Sequence, residues 1–196
     1  MGSSLHVVAV VGTLQRDSAS FVVVQHVAEQ LEQGGCKVDV VDLKKEPLAL
    51  FDPDTAYTLP TYGKLQNRVD RADVIVLATP DYHGSISSKL KNFLDHFWRE
   101  FAGKLFVTIV ASPEKGLTVT EQLRTVARQC YAWTLPYGVA FTTDTDVKDG
   151  RVVSDFLKER LQMMARDVCV YGRLLARQRR VDLATPGPGF LARYRV

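Results

Sequence analysis

Residues 74–98, VIVLATPDYHGSISSKLKNFLDHFW, contain an apolar run, a polar loop and an amphipathic segment in direct succession. The run at residues 74–79 carries no charge, which is typical of a strand covered on both faces of a parallel sheet. Leu90, Phe93, Leu94 and Phe97 then recur at steps of three or four residues, the spacing of one face of a helix. The stretch therefore predicts a strand–loop–helix unit of an α/β fold.

Four further apolar runs occur along the chain, at residues 5–11, 37–41, 105–110 and 138–142. Helical patterns separate them, and a last one follows the final run. This alternation predicts a doubly wound parallel sheet with helices on both faces. For five strands in a chain of this length, the flavodoxin-like strand order 2-1-3-4-5 is favoured over the six-strand dinucleotide-binding order.

The chain has 196 residues, and we predict a single domain over residues 1–180. Residues 181–196 are expected to form an irregular tail because the PGPG sequence at 186–189 interrupts any regular pattern. The content of 46% hydrophobic and 24% charged residues is typical of a soluble globular protein. No apolar run approaches the roughly 18 residues of a membrane span, and no signal peptide is evident. We therefore expect a cytoplasmic protein without a membrane partner.

Charge and cysteine content argue against several other functions. The net charge of +3 is too small to predict a nucleic-acid partner. Cys36, Cys130 and Cys169 are far apart and include no CxxC pair, which argues against a disulfide framework or a zinc site. We expect reduced thiols, with Cys130 and Cys169 buried in helices. No bound metal is expected, because no cluster of His, Cys, Asp or Glu has metal-ligand spacing.

The predicted strand order also locates a binding crevice. Its topological switch lies between strands one and three, and ligands bind outside the carboxyl ends of such strands. The loops that follow these two strands are GTLQRDSAS at residues 12–20 and TPDYHGS at residues 79–85. They are the two stretches richest in small and polar residues, so the fold and the composition indicate the same crevice.

The first of these loops has the features of a phosphate site. It opens a helix, whose free N–H groups and partial positive charge favour a phosphate. Its side chains supply hydroxyls, an amide and a guanidinium, from Thr13, Ser18, Ser20, Gln15 and Arg16. The alternative is a capped turn, in which Ser18 or Ser20 is the N-cap and Arg16 lies in solvent. The loop matches neither the GxGxxG fingerprint nor the glycine-rich loop of NTPases.

The second loop offers a surface for a planar ligand. Pro80 and Tyr82 have flat apolar faces, and Gly84 permits close approach of the backbone. Ser85, Ser87 and Ser88 can each cap the next helix, and His83 is either a ligand contact or an ordinary loop histidine. A hydrolase would need a GxSxG elbow, which is absent, so no catalytic side chain is predicted.

A third loop, ASPEKGLT at residues 111–118, follows the fourth strand. It either closes the far side of the crevice through Ser112 and Gly116 or forms a turn in which Thr118 caps the next helix.

A phosphate site beside a flat surface suits a mononucleotide with a planar ring system. FMN fits better than NAD, because no compelling ribose-binding carboxylate follows strand two.

Two of these stretches resemble the motifs of a known family, the NAD(P)H-dependent FMN reductases. GTLQRDSAS is similar to the family's GSLRxxSxN loop, and TPDYHGSISSKLKNFLD is similar to its TPEYNGSxxxxLKNxLD motif. The resemblance covers roughly residues 5 to 140. The family includes the chromate, azo and quinone reductases. It implies bound FMN, NADPH or NADH as reductant, and a small-molecule electron acceptor: a quinone, an azo compound, a metal oxyanion or free flavin.

The family motifs also imply roles for individual residues. Thr13, Ser18 and Ser20 would hold the FMN phosphate. The flavin ring and ribityl chain would be lined by residues of the second and third loops, namely Pro80, Asp81, Tyr82, His83, Gly84, Ser85, Ser112 and Gly116. The chain departs from the family at Gln15, where the family has Arg, although Arg16 follows directly, and at Ser20, which replaces Asn.

Two other classes of function share this fold. A flavodoxin-type electron carrier would bind FMN without nicotinamide turnover, but its Thr/Ser-x-Thr-Gly-x-Thr phosphate loop is absent here. A regulatory protein that has lost its cofactor would show departures such as those at Gln15 and Ser20.

Phe97 and Trp98 are adjacent, so one helix face cannot bury both. With the family resemblance, this predicts a homodimer or homotetramer with Trp98 at or near the contact.

Overall fold

A computed structural model describes residues 4–195 and contains a central parallel sheet. Its strands are β1 His6–Val11, β2 Lys37–Asp42, β3 Val74–Pro80, β4 Leu105–Ala111, β5 Trp133–Thr134 and β6 Val139–Phe141. The order β2-β1-β3-β4-β5 confirms the predicted flavodoxin-like topology.

The fifth position of the sheet differs in detail from the prediction of one strand. Short strand β5 pairs with the start of β4, at Leu105 and Phe106, and β6 pairs with its end. Pro136 lies between the two segments. Because proline has no N–H to donate to a ladder, it interrupts the strand there.

Helices cover both faces of the sheet, as predicted. They are α1 Ala19–Gln33, α2 Pro60–Arg71, α3 Ser88–Asp95, α4 Leu117–Gln129, α5 Thr143–Asp146, α6 Asp155–Asp167 and α7 Arg173–Ala184. Helices α1 and α6 pack on one face, and α2, α3 and α4 pack on the other. A small antiparallel hairpin of β7 Val147–Lys148 and β8 Arg151–Val152 joins α5 to α6. Along residues 4–195, no helix is both long and apolar enough to cross a bilayer.

Strand β3 shows why its sequence is continuously apolar. Val74, Val76 and Ala78 belong to the core on the α1 side of the sheet, whereas Ile75 and Leu77 belong to the core on the α3 side. Since side chains alternate between the faces of a strand, both sets must be apolar when both faces are covered. Because β3 also lies between β1 and β4, the loop that follows it is held at the centre of the sheet.

Serine caps start the helices on which the predicted loops depend. The Ser18 hydroxyl accepts a hydrogen bond from the Phe21 amide at the start of α1, and Ser87 does the same for Leu90 at the start of α3. At α4 Gly116 occupies the N-cap position in a left-handed conformation, with φ of 57°, so the alternative in which Thr118 caps this helix is wrong. The helical pattern that includes Phe97 extends beyond α3, which ends at Asp95 and is followed by a 3-10 turn at Arg99–Phe101.

The C-terminal segment is more regular than the predicted irregular tail. Helix α7 continues to Ala184, and a 3-10 helix spans Phe190–Tyr194. Leu191 is buried and packs against Gly103, where an added Cβ would lie only 3.0 Å from Cδ1 of Leu191. The PGPG sequence thus separates two helical segments, which a periodicity argument does not reveal because the second has a single buried residue.

A buried lysine, Lys104, directly precedes β4, at the end of the sheet opposite the predicted crevice. The Lys104 amine donates hydrogen bonds to the carbonyls of Val69 and Asp70, the latter at 3.0 Å, at the C-terminal end of α2. Burial, together with the nearby Arg179, lowers the pKa of this amine from 10.5 to about 7. Between those values the unfolded chain holds a proton that the folded chain has lost, so stability should rise with pH across that window.

Candidate functional site

The three predicted loops meet at one edge of the sheet and are hydrogen-bonded to each other. The Gly12 amide donates to the Ala78 carbonyl at 2.8 Å, and the Ser87 hydroxyl donates to the Gly12 carbonyl. The Asp81 amide donates to the Ala111 carbonyl at 2.8 Å, which connects the second loop to the end of β4. These bonds bring the loops after β1, β3 and β4 into one surface at the topological switch of the fold.

The first loop is a capped helix start, as one of the two interpretations predicted. Thr13 and Ser18 are buried, and the Thr13 hydroxyl accepts a hydrogen bond from the Gln15 amide at 3.2 Å. Gln15 and Arg16 are exposed. The Ser18 cap leaves the first amides of α1 without an intrahelical partner and available to an anion. A cap and a phosphate site are therefore compatible here.

A cavity of about 570 Å³ opens beside this loop. Thr13, Gln15, Arg16 and Ser18 line it, whereas the buried Ser20 does not. Two segments that the sequence did not predict complete its wall, one at the end of β2 and one that runs from α5 into the β7–β8 hairpin. They contribute Asp42, Lys44, Lys45, Thr143, Val147, Lys148, Asp149 and Gly150.

The charge of this cavity favours an anion. Its lining includes four cationic side chains, from Arg16, Lys44, Lys45 and Lys148, and three carboxylates. Lys44 also donates to the Gln15 carbonyl at 3.4 Å and so ties the segment after β2 to the loop. The paired lysines directly after strand two were the sequence signal that could have indicated this wall.

The second loop contains a tight turn that explains its His-Gly pair. Tyr82 and Ser85 exchange two backbone hydrogen bonds, of 3.0 and 3.1 Å. The two residues between them both have positive φ, 56° for His83 and 74° for Gly84. A type I′ turn requires this conformation at both central positions. A Cβ on Gly84 would meet no protein atom within 4 Å, so the turn requires this glycine for its backbone conformation, and close approach of a ligand to it stays a prediction.

Asp81 ties this turn to the third loop. One carboxylate oxygen accepts the Gly84 amide at 2.8 Å, and the other accepts the hydroxyl of the buried Ser112 at 2.9 Å. In the structure these two predicted site residues are bonded to each other. Their contribution to the site is to fix the positions of the two loops.

Gln122 on α4 is a residue of this site that the sequence analysis missed. Its side-chain oxygen accepts the Ser85 hydroxyl at 3.1 Å and the Ile86 amide at 3.2 Å, and its nitrogen donates to the Gly84 carbonyl at 3.1 Å. A single side chain thus holds three consecutive residues of the second loop. No local motif marks it, because its partners lie 36 to 38 positions earlier in the chain.

Gly116 shapes the third loop by the absence of a side chain. A Cβ at this position would lie 2.6 Å from Cγ1 of Val110, and the residue has a left-handed φ of 57°. Both facts require glycine. The next residue, Leu117, is 70% exposed.

Apolar side chains are exposed on each of the three loops. Leu14 is 52% exposed and Tyr82 is 46% exposed, and Leu117 at the start of α4 is even more accessible. Pro80, by contrast, is buried as the last residue of β3. An apolar surface beside a cationic cavity suits a ligand with an anionic end and a flat apolar end.

The fold and this surface define a flavodoxin-like α/β protein whose ligand site lies at the carboxyl ends of β1, β3 and β4. Residues 5–146 match the model of the NADPH-dependent FMN reductase family, and the chain belongs to that family. It is an oxidoreductase of the type that uses FMN and NAD(P)H.

Curated relatives agree with this family. The chain is 29% identical over 159 residues to an FMN-dependent NADPH-azoreductase of Staphylococcus haemolyticus, covering 74% of this chain and 82% of the relative. It is 26% identical over 166 residues to the enzyme of the same name from Staphylococcus aureus, covering 80% and 87%.

Similar folds occur in FerB, a flavoenzyme NAD(P)H:(acceptor) oxidoreductase from Paracoccus denitrificans, and in an NAD(P)H:quinone oxidoreductase from Methanothermobacter marburgensis. FerB gives a TM-score of 0.71 at 18% identity, with 89% of this chain and 98% of FerB covered. The quinone oxidoreductase gives 0.60 at 19% identity, with 88% and 100% covered. At these identities the likeness supports the fold alone.

Proposed function

We propose that the chain uses bound FMN to pass electrons from NAD(P)H to a small-molecule acceptor: a quinone, an azo compound, a metal oxyanion or free flavin. The observation that carries this proposal is the hydrogen-bonded junction of three loops at the switch point. A cationic cavity and exposed apolar side chains adjoin it. The proposal includes no nucleic-acid or membrane partner, and a cytoplasmic location stays a prediction.

The residues at the start of α1 fit the phosphate of FMN. Helix α1 offers unpaired amides behind the Ser18 cap, and the Thr13 hydroxyl lies in the same cavity. Arg16 is exposed at its rim and free to reach an anion with a fork of donors. We infer that Arg16 supplies the positive charge that Gln15 cannot supply.

The second and third loops fit the flat part of the molecule. Tyr82 and Leu117 offer exposed apolar surface, and Asp81 and Gln122 hold the second loop in its tight turn. A rigid surface positions a ring better than a mobile one, because the geometry of hydride transfer tolerates little displacement. When bound here, FMN supplies the redox chemistry: it takes a hydride from NAD(P)H and passes the electrons to the acceptor.

Two acceptor classes have specific support. The relatives from Staphylococcus are named azoreductases, and a protein of similar fold is named a quinone oxidoreductase. The exposed apolar side chains around the loops suit both classes, since azo dyes and quinones are flat and largely apolar. A metal oxyanion would instead depend on cationic side chains near the ring.

The acceptor is tested by supplying purified protein and FMN with NADPH and measuring its oxidation under anaerobic conditions. Separate samples receive a quinone, an azo dye, chromate or no acceptor. We expect acceptor-dependent oxidation with the quinone and the azo dye. An electron carrier would oxidise NADPH with none of them, and a regulatory protein without cofactor would also fail to retain FMN after gel filtration.

We also propose a homo-oligomer with Trp98 at or near the contact. Phe97 is buried, whereas Trp98 is 58% exposed and its indole nitrogen donates to the Gln129 carbonyl at 3.3 Å. A groove of about 350 Å³ beside it, between α3 and α4, is lined by the partly buried Val126 and by Leu94 and Cys130, which are buried. Sedimentation of wild type and Trp98→Ala tests the proposal: we expect a dimer or tetramer that the substitution weakens, and a wild-type monomer at micromolar concentration would contradict it.

A further inference from the structure

Two of the three cysteines meet in the folded chain although 133 positions separate them. The sulfur atoms of Cys36 and Cys169 lie 3.5 Å apart. Cys36 directly precedes β2, and Cys169 lies in a π-helical turn, Val168–Gly172, between α6 and α7. Cys36 is buried, while Cys169 is partly exposed rather than buried as the sequence predicted.

The surroundings hold the two sulfurs together. A Cβ on Gly34 would come within 2.7 Å of the Cys169 sulfur, so the glycine at the end of α1 makes room for this contact. The Arg173 guanidinium donates to the Gly34 carbonyl at 2.6 Å and to the Cys169 carbonyl at 3.0 Å. One side chain thus connects the segment that carries Cys36 to the turn that carries Cys169.

We propose that Cys36 and Cys169 form an oxidisable dithiol, which closes to a disulfide by exchange with a low-molecular-weight disulfide. A disulfide bond requires the sulfurs to approach to about 2.05 Å, roughly 1.5 Å closer than they lie in the reduced form. A change of this size is within reach of side-chain rotation and a small adjustment of the π-helical turn. The site is separate from the proposed FMN site and its function.

The exchange balances in two steps. The Cys169 thiol, which solvent reaches, loses its proton and attacks one sulfur of the small disulfide, which releases one small thiol and leaves a mixed disulfide on Cys169. The Cys36 thiol then loses its proton and attacks the Cys169 sulfur, which releases the second small thiol. Two protein thiols are oxidised, and the small disulfide is reduced to two thiols.

Burial gives the second step a characteristic pH dependence. Desolvation and the neighbouring Cys169 raise the pKa of Cys36 to about 12, against a smaller opposing effect of Arg173. In the mixed disulfide Cys169 no longer carries a thiol, but burial, the largest cause, still keeps the pKa of Cys36 above its ordinary value. Because only the thiolate attacks, ring closure should accelerate about tenfold for each pH unit as long as the pH lies below that raised pKa. The closure is therefore expected to be slow near neutral pH and to follow formation of the mixed disulfide.

The location of the pair separates its chemistry from the flavin site. Cys36 lies at the amino end of β2, whereas the three loops follow the carboxyl ends of β1, β3 and β4. In a parallel sheet these are opposite edges. The test can thus be run on the full chain without FMN or NADPH, and its result does not depend on whether the proposed reductase activity is correct.

The experiment exposes the purified, reduced full chain to excess glutathione disulfide, blocks remaining thiols, and maps peptides by mass spectrometry without reduction. We expect a Cys36–Cys169 crosslinked peptide and, in a sample taken before the remaining thiols are blocked, an intact mass lowered by two hydrogen atoms. Cys130 is the matched control, since it is buried and burial raises its pKa to about 11 without a neighbouring thiol. Cys130→Ser should form the same crosslink.

Two further measurements test the order of the two exchange steps and the pH dependence of the second. Cys36→Ala should stop at the mixed disulfide on Cys169, and circular dichroism establishes whether this variant remains folded. In wild type, stopped samples should show closure accelerating about tenfold between about pH 8 and about pH 9. A wild-type map with only the mixed disulfide, or with an unmodified Cys169, overturns the proposal, whatever the variant does.

Discussion

Replacing Gln122 with leucine removes the three hydrogen bonds that hold Gly84, Ser85 and Ile86 in the second loop. Leucine is a good helix former and similar in size, so α4 should remain intact. The loop, however, loses its only side-chain anchor on that helix among the described residues. The expected effect is a looser loop on an unchanged scaffold.

The magnitude follows from the bonds that are lost. A neutral hydrogen bond stabilises by about 0.5–1.5 kcal/mol net, and these three are partly accessible to water, so we take the low half of that range. The loss is then about 1.5–3 kcal/mol of the free energy that favours the observed loop. If FMN binds only this conformation, its affinity should fall on the order of 10- to 100-fold, at about 1.4 kcal/mol per tenfold.

The assay is a fluorescence titration of apo-protein with FMN, paired with single-turnover reduction by NADPH. Gln162→Leu, at an exposed position on α6, is the matched control and should bind FMN like wild type. We expect Gln122→Leu to bind FMN more weakly and to reduce it more slowly at saturation. Wild-type affinity together with a wild-type rate would refute the conclusion that this loop must be held for the flavin to bind.

Three further substitutions test other parts of the account. Arg16→Ala should weaken FMN binding on the order of 10- to 100-fold, because it removes a charge-assisted bond of roughly 1.5–3 kcal/mol; an unchanged dissociation constant would mean that backbone amides hold the phosphate alone. Tyr82→Ala should leave the melting temperature of the apo-protein nearly unchanged, since the side chain is 46% exposed, while NADPH-dependent reduction falls at least about tenfold; a large loss of melting temperature with normal reduction would place Tyr82 in the core instead. In wild type, the unfolding free energy measured by urea denaturation should rise by up to about 1.4 kcal/mol per pH unit between about pH 7 and about pH 9, and Lys104→Met should abolish this rise. Identical slopes in the two proteins would show that the buried amine keeps its proton.

The sequence predicted the sheet because its signal is strong and local. Strand β3 is apolar on both faces, and the serine caps at Ser18 and Ser87 directly precede the helices they start. The split of the fifth strand was missed although Pro136 is a local signal for it, whereas the end of α3 at Asp95 was missed because tertiary packing decides it. The short helix at the C-terminus was missed for the same reason.

The loops of the candidate site could be predicted from the sequence, but the contacts that hold these loops in place could not. The polar composition of the first two loops indicated where a ligand would bind. Gln122, Lys148 and the bond between Asp81 and Ser112 depend on contacts between distant segments, which a single sequence does not display. The positive φ of Gly84 was missed for a related reason, because the hydrogen bonds between Tyr82 and Ser85 define the turn, and the role of Gly84 in close approach of a ligand stays a prediction.

The central claim is that the three-loop junction binds FMN and that NAD(P)H reduces it there. The most direct measurement is the visible absorption spectrum of the purified protein with stoichiometric FMN, after gel filtration and under anaerobic conditions, before and after addition of NADPH. The account predicts a flavin spectrum that co-elutes with the protein and bleaches on addition of NADPH. A colourless protein fraction, or a bound flavin whose spectrum NADPH leaves unchanged, would contradict it.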